Sequence, residues 1–344
     1  MKAALYKSPA SPARQRGAAL LTALIIVTLV ATLASAMVWQ QWRAVQVEAA
    51  ERSRTQSYWV LSGALDWARL ILREAAQRKN RASGDNLGEA WAAPLAEARL
   101  SSFLAADKDN NASDDNAGPE AFLSGQITDE QSRYNLHNLV ANGAVQPKEM
   151  AALQRLCEIL GLDSSVASRI AQGLQPALTP AALAASAAGA NSASPEAMLL
   201  PPSVADLGWL GIDAASIAAL RPYVTLLPRN TPVNLNTAPK EVIAAVIPVD
   251  LASADRLVQY RQRSPFTDLG QVQAQLGSSD GKGQVQLDPE RVDYRTSFFE
   301  VRGRLRLDDR VVEERSLVER RGIAVVVLRR ERIAGIESAS ASRP

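Results

Sequence analysis

Apolar residues fill the chain from Ala18 almost without interruption, and the stretch AALLTALIIVTLVATLASAMVW leads on to Trp42 with no charged side chain before Arg43. About 20 such residues cross a bilayer core as a helix. Lys2, Lys7, Arg14 and Arg16 precede the run and no acid does, which predicts a cytoplasmic leader with the bulk of the chain on the far side. Trp39 and Trp42 stand where such a helix leaves the membrane, the depth that indole prefers. Beyond them Val45, Val47, Tyr58, Leu61, Leu65, Ala68 and Leu72 recur largely at steps of three and four, and proline is absent until Pro94. This spacing predicts one helix from Ala18 to Gln77, roughly 90 Å long at helical rise. The alternative is a membrane span followed by a separate soluble helix, with Gly63 as the weak point.

The pattern then changes. DKDNNASDDN, residues 107–116, is a polar run that reads as a loop. Gly125 to Thr128 reads as a short strand. Helical periodicity follows at Ala151 to Leu160, Ser165 to Leu174, Ala215 to Leu220, Lys240 to Val246 and Ala252 to Arg261. Pro176 to Ser203, rich in alanine, serine and proline, interrupts these segments as an expected flexible loop. Near the end, Glu300 to Leu307 alternates with the two-residue period of a half-buried strand. Asp308-Asp309 suits a turn, Arg310 to Arg320 and Ile323 to Leu328 are further strands, and ESASASRP is a disordered tail.

Composition narrows the chemistry. Thirty-eight basic against 36 acidic residues leave a formal charge of +2, so nothing draws the whole chain to nucleic acid. Cys157 is the single cysteine, which rules out an intramolecular disulfide, and its apolar helical surroundings predict a buried thiol. His137 is the single histidine, and between Asn135 and Asn138 it reads as a loop residue, not a catalyst. No phosphate-gripping glycine loop and no G-x-S-x-G is present, and Asp114-Asp115 and Glu313-Glu314 read as solvated charge. The sequence carries no catalytic constellation, and an enzyme is not expected. Asp107 and Asp109, with Asn111, place oxygen donors at alternating positions as calcium requires, yet the glycine and closing glutamate of an EF-hand loop are missing.

Three fates of the N-terminus compete: a plain anchor, a secretory signal cut after Ala34-Ser35-Ala36, and a prepilin-type leader. The junction Arg14-Gln15-Arg16-Gly17-Ala18 resembles the prepilin peptidase site of type IV pilins and pseudopilins, which implies cleavage after Gly17 and a mature chain starting at Ala18. Most such proteins carry glutamate at the fifth mature position. This chain has Thr22 there. The departure is similar to the K-type minor pseudopilin of type II secretion, whose place at a filament tip leaves no neighbour above it.

Further resemblance lies in GQITDEQSRYNLHNL, in LGWLGIDAASIAALRPYVTLLPRNTPVNLNTAP and in VNLNTAPKEVIAAVIPVDLASADRLVQYRQRSPFTDLGQV. With these the resemblance runs from Arg14 to about Arg332. It implies an α+β fold: a pilin-like transmembrane and stem helix packed on a small antiparallel sheet, with a large all-helical insertion similar to a helix-hairpin-helix. The implied divisions are a leader at 1–17, a membrane part at 18–42, stem and first pilin-like part at 43–139, insertion at 140–290, closing strands at 291–333 and a tail at 334–344. Calcium is associated with the family, so Asp129 and Glu130 are carried over as candidate ligands beside Asp107 and Asp109. The implied partners are the I- and J-type and H-type minor pseudopilins, the major pseudopilin, the prepilin peptidase and the inner-membrane assembly platform. The implied location is the bacterial inner membrane, single pass, with the bulk in the periplasm and a role in protein export.

Two other functions remain open on the residues alone. The hairpin-like segment invites a membrane-tethered DNA-uptake role through Arg256, Arg261 and Arg263, but its turn, Val246 to Ala252, lacks glycine and holds Pro248 and Asp250, which removes the usual phosphate grip. Cleavage after Ala36 would instead release a soluble binding protein.

Overall fold

The computed structural model describes residues 16–78, 84–100, 121–179, 199–277, 286–307 and 310–336. Two compact units emerge, residues 1–60 and 61–344. In the first, helix α1 (Arg16–Arg78) begins, and its threonine and serine hydroxyls bond back to the preceding turn: Thr22 to Ala19 O at 2.9 Å, Thr28 to Ile25 O at 2.9 Å and Ser35 to Ala31 O at 2.8 Å. Such back-bonding is what lets a hydroxyl lie in an apolar medium. The helix passes through Gly63 without a break, because neither proline nor a competing side chain interrupts its ladder.

In the second unit the closing part of α1 buries Leu61, Leu65, Ala68 and Leu72. Their spacing of four, three and four puts them on one helical face. That face lies on a five-stranded antiparallel sheet of β1 (Leu95–Arg99), β2 (Ala121–Asp129), β3 (Phe298–Leu307), β4 (Arg310–Arg321) and β5 (Ala324–Ile336). The strands pair in chain order. Trp91, Ile127, Phe299, Val301, Val318 and Val325 complete this core, with Trp91 edge-on to Phe299 at 5.2 Å. Gly303 lies under Leu61; a methyl group there would come within 3.2 Å of Leu61 Cδ2.

Strand β2 is longer than the Gly125 to Thr128 segment expected from sequence, since pairing with β3 holds it from Ala121 to Asp129. β5 likewise continues to Ile336, opposite Arg310, beyond the Ile323 to Leu328 segment expected from the residue pattern. β1 was not visible in the sequence pattern at all. Asp308 and Asp309, the polar segment 107–116 and residues 337–344 lie outside the described residues.

Residues 130–297 are inserted between β2 and β3. They hold α2 (Pro147–Ile159), α3 (Ser164–Ala177), α4 (Ala214–Leu220), α5 (Lys240–Val246), α6 (Leu251–Arg263) and α7 (Leu269–Leu276), with two-residue strand pairs between them. Pro176, expected to open a loop, sits in the last turn of α3, and the carbonyl of Leu174 still receives Leu178 N at 3.1 Å. Aspartates cap four of the helices: Asp163, Asp213, Asp250 and Asp268 accept from Ser165 N at 2.8 Å, Ser216 N at 2.9 Å, Ser253 N at 2.6 Å and Gln271 N at 2.9 Å. These bonds hold the carboxyls of Asp163, Asp213 and Asp250 below their ordinary range. One continuous core runs through the insertion, from Tyr134 and Leu136 to Val292, and includes Cys157. Burial pushes the Cys157 thiol up to about 11, so it is an inert core residue. Leu227, Phe298 and Leu317 form a small cluster that joins the insertion to the sheet face turned away from α1.

Candidate functional site

Two regions stand out, and neither is a catalytic pocket. The first is the uncovered apolar length of α1. From Leu20 to Val47 its large apolar side chains are between 52% and 71% exposed, and its most apolar window has a mean hydropathy of 2.4 with nothing buried. By length and composition it is the one helix among the described residues able to cross a membrane. Gly17 and Ala18 lie in its first turn, and Thr22 donates to Ala19 O. Further on, Trp67 and Leu70 are 46% and 58% exposed on the side opposite the buried Leu65 and Leu72.

The second region is a buried polar joint where the insertion leaves and rejoins the sheet. Asp129 ends β2, and Oδ1 accepts from Gln131 N at 2.8 Å while Oδ2 accepts from Asn234 Nδ2 at 2.8 Å and Thr237 Oγ1 at 2.6 Å. Glu130 accepts from Arg133 at 3.0 Å and from Thr225 Oγ1 at 2.5 Å. Burial pushes both carboxyls above the ordinary range, and their donors offset this only in part.

Four amide side chains do the work of missing strand pairs. Asn135 Oδ1 accepts from His137 N and Leu227 N, both at 3.1 Å. Asn138 exchanges two bonds with the backbone of Thr231, at 2.8 and 3.0 Å. Asn234 Nδ2 also reaches Asp85 O at 3.1 Å. Asn236 accepts from Phe266 N at 2.8 Å and donates to Phe266 O at 2.9 Å. His137 is buried in this joint, its Nδ1 at 2.5 Å from Asn230 Oδ1.

Asp85 threads the same joint. Its carboxylate accepts from Arg320 at 2.7 and 2.8 Å and from Thr296 N at 2.9 Å, and its own N–H donates to Tyr294 O at 2.9 Å. The Arg320 guanidinium lies 5.1 Å from the centre of the Phe299 ring. The sequence signal for this joint was the paired motifs NLHN and NLNT, which read as family resemblance and not as hydrogen-bonding devices.

The carboxylates proposed for calcium separate into two groups. In Asp129 and Glu130 each of the four carboxylate oxygens receives an N–H or O–H from the protein. Asp107 and Asp109 lie outside the described residues, among which no cluster of three His, Cys, Asp or Glu suits a metal. The basic patch expected on α6 also dissolves in part: Arg261 turns inward, is 8% exposed and donates to Leu235 O at 2.5 Å, and burial pulls it down to about 10. Arg256 bonds Ser253 Oγ at 2.8 Å.

A membrane-length helix whose end packs on an antiparallel sheet, with a helical domain spliced between two strands, is the architecture of a pilin-like subunit carrying an insertion. Comparison with known proteins agrees. The family described as type II secretion system (T2SS), protein K matches residues 132–229 and, in a second part, 233–290. The type II secretion system protein K of Pseudomonas aeruginosa is 28% identical over 337 residues, covering 92% of this chain and 89% of its own. The crystal structure of the GspK-GspI-GspJ complex from enterotoxigenic Escherichia coli contains a chain of the same fold, with a TM-score of 0.59 and 16% identity, covering 82% of this chain and 98% of that one. The two matched parts of the type II secretion system protein K family both fall within the insertion, and the similarity to the Pseudomonas protein extends along most of the chain.

Proposed function

We propose that this chain is a minor pseudopilin of type II secretion, held in the inner membrane by its first helix and placed at the tip of a short pseudopilus that supports protein export. The observation that carries this reading is the uncovered apolar length of α1, from Leu20 to Val47. Exposed apolar area of that extent calls for lipid before assembly and for neighbouring helices after it. Trp67 and Leu70 supply a contact for sibling stems farther along. The I- and J-type minor pseudopilins are the partners proposed, since the related Escherichia coli protein is held in a complex with GspI and GspJ. The H-type and major pseudopilins, the prepilin peptidase and the assembly platform complete the set.

The insertion, residues 130–297, supports the tip position on steric grounds: a bulky domain at one end of a stem hinders stacking of a further subunit above it. No reaction is assigned. Calcium remains a proposal at the four candidate carboxylates, Asp107, Asp109, Asp129 and Glu130. Mass spectrometry of the mature N-terminus tests the whole reading. A start at Ala18, abolished by substituting Gly17, is expected; a start at Met37 returns the chain to an ordinary secreted protein, and a start at Met1 to a plain anchor.

A further inference from the structure

We propose that Trp39, Trp42 and Arg43 form a clamp for the phosphodiester of a phospholipid headgroup at the periplasmic end of the membrane helix. The inference rests on the anchor reading and adds a ligand site to it. Twenty residues from Ala18 reach Met37, about 30 Å, which matches the hydrocarbon core. Trp39 and Trp42 then stand about 3 and 7.5 Å beyond that core, inside the headgroup layer.

Positions 39, 42 and 43 share one helical face by their i, i+3, i+4 spacing. Both indoles are 60% exposed, and the Arg43 guanidinium carbon lies 5.6 Å from the centre of the Trp39 ring. The arginine therefore folds back over the preceding turn, toward the bilayer, instead of extending away from it. The chemistry of the three is one-sided, since indole N–H and guanidinium donate hydrogen bonds and accept none. Arg43 has no ion-pair partner among the described residues. The first acid along the chain, Glu48, is engaged by Arg52 at 2.5 Å. A flat face of donors with an unneutralised cation recognises an acceptor-only anion, and at this depth that anion is a lipid phosphate.

The clamp would set the height of the helix in the membrane, and with it the starting point from which assembly withdraws it. The test uses the full chain in vesicles of phosphatidylcholine and phosphatidylglycerol, with bromine either near the glycerol backbone or near the chain end. Bromine near the glycerol is expected to quench tryptophan emission about twofold more strongly than bromine near the chain end. Arg43→Gln should bring the ratio close to one while Arg43→Lys retains part of it. A bias unchanged by Arg43→Gln in protein that still floats with the vesicles overturns the clamp and leaves the anchor standing. Protein that fails to float overturns both. Excess inorganic phosphate should leave the ratio untouched; a loss equal to that of Arg43→Gln would show a free-anion site and refute the lipid assignment.

Discussion

Gly84 sits where the chain is pinched between the two halves of the polar joint, and Gly84→Ala tests how tightly that joint is built. A Cβ at this position would lie 2.5 Å from Tyr294 O, 2.8 Å from Phe266 O and 2.8 Å from Asn236 Nδ2. Ordinary contact for a methyl carbon is about 3.5 Å, so the backbone must retreat by up to about 1 Å. Two of the three obstacles are main-chain carbonyls. The third is an amide fixed by its own bonds to Phe266. Retreat stretches Asp85 N to Tyr294 O, now 2.9 Å, and loosens the hold of Asn236. Overpacking of this kind costs about 1–3 kcal/mol and each weakened hydrogen bond about 1 kcal/mol, so the expected loss is about 2–5 kcal/mol. Urea unfolding of the full chain in detergent micelles measures it, with hydrogen exchange expected to rise first at Asp85, Asn236 and Thr296. Gly63→Ala is the control: its Cβ meets nothing within 4 Å, and a helical Gly→Ala change should stabilise by about 0.5–1 kcal/mol. A Gly84→Ala protein as stable as the parent would refute the close-packed joint.

Other perturbations separate the joint's carboxylates. Asp129→Asn turns an amide N–H toward Asn234 Nδ2, a donor facing a donor, and should cost about 1–3 kcal/mol at neutral pH, whereas in Glu130→Gln the amide can donate to Thr225 Oγ1 and stability should hold; equal losses in thermal unfolding would contradict the assigned bonds. Because burial raises Glu130 above its unfolded value, its folded state keeps protons that the unfolded chain has released, so its contribution is full below the unfolded value and is lost as pH rises through the folded one. Glu130→Gln should flatten that decline in a pH series of unfolding midpoints. Glu319 has the opposite sign: Arg321, then Arg229, hold it below its ordinary range, so its stabilisation is present above about 4.5 and disappears on acidification. Glu319→Gln should therefore lower stability at pH 7 and change little at pH 3, and the reverse order would exclude the assignment. Arg261→Met should weaken the insertion by about 1–3 kcal/mol through the carbonyl of Leu235 without creating or removing DNA affinity in a gel-shift titration.

The long apolar helix was legible in the order of residues because a run without charge from Gly17 to Trp42 declares itself by length and composition, and because helical spacing needs no partner to be read. The helices α5 and α6 and the strands β3 and β4 were legible for the same reason, since local periodicity declares which face is buried. β1 and β5 beyond Leu328 were not. Their residues become strand through pairing with β2 and β4, and a pairing is a property of two segments. The joint lay beyond the sequence altogether. The surroundings of Asp129 could not be read from its neighbours in the chain, since only folding brings Asn234 and Thr237, with Gln131, onto its two oxygens. Arg261 was grouped with Arg256 and Arg263 because its period along α6 does not tell which neighbour covers it, and the carbonyl that turns it inward comes from Leu235, 26 positions earlier. Periodicity thus decided what each element is, while the distant hydrogen-bond partners, which only the tertiary structure supplies, decided what each polar side chain does.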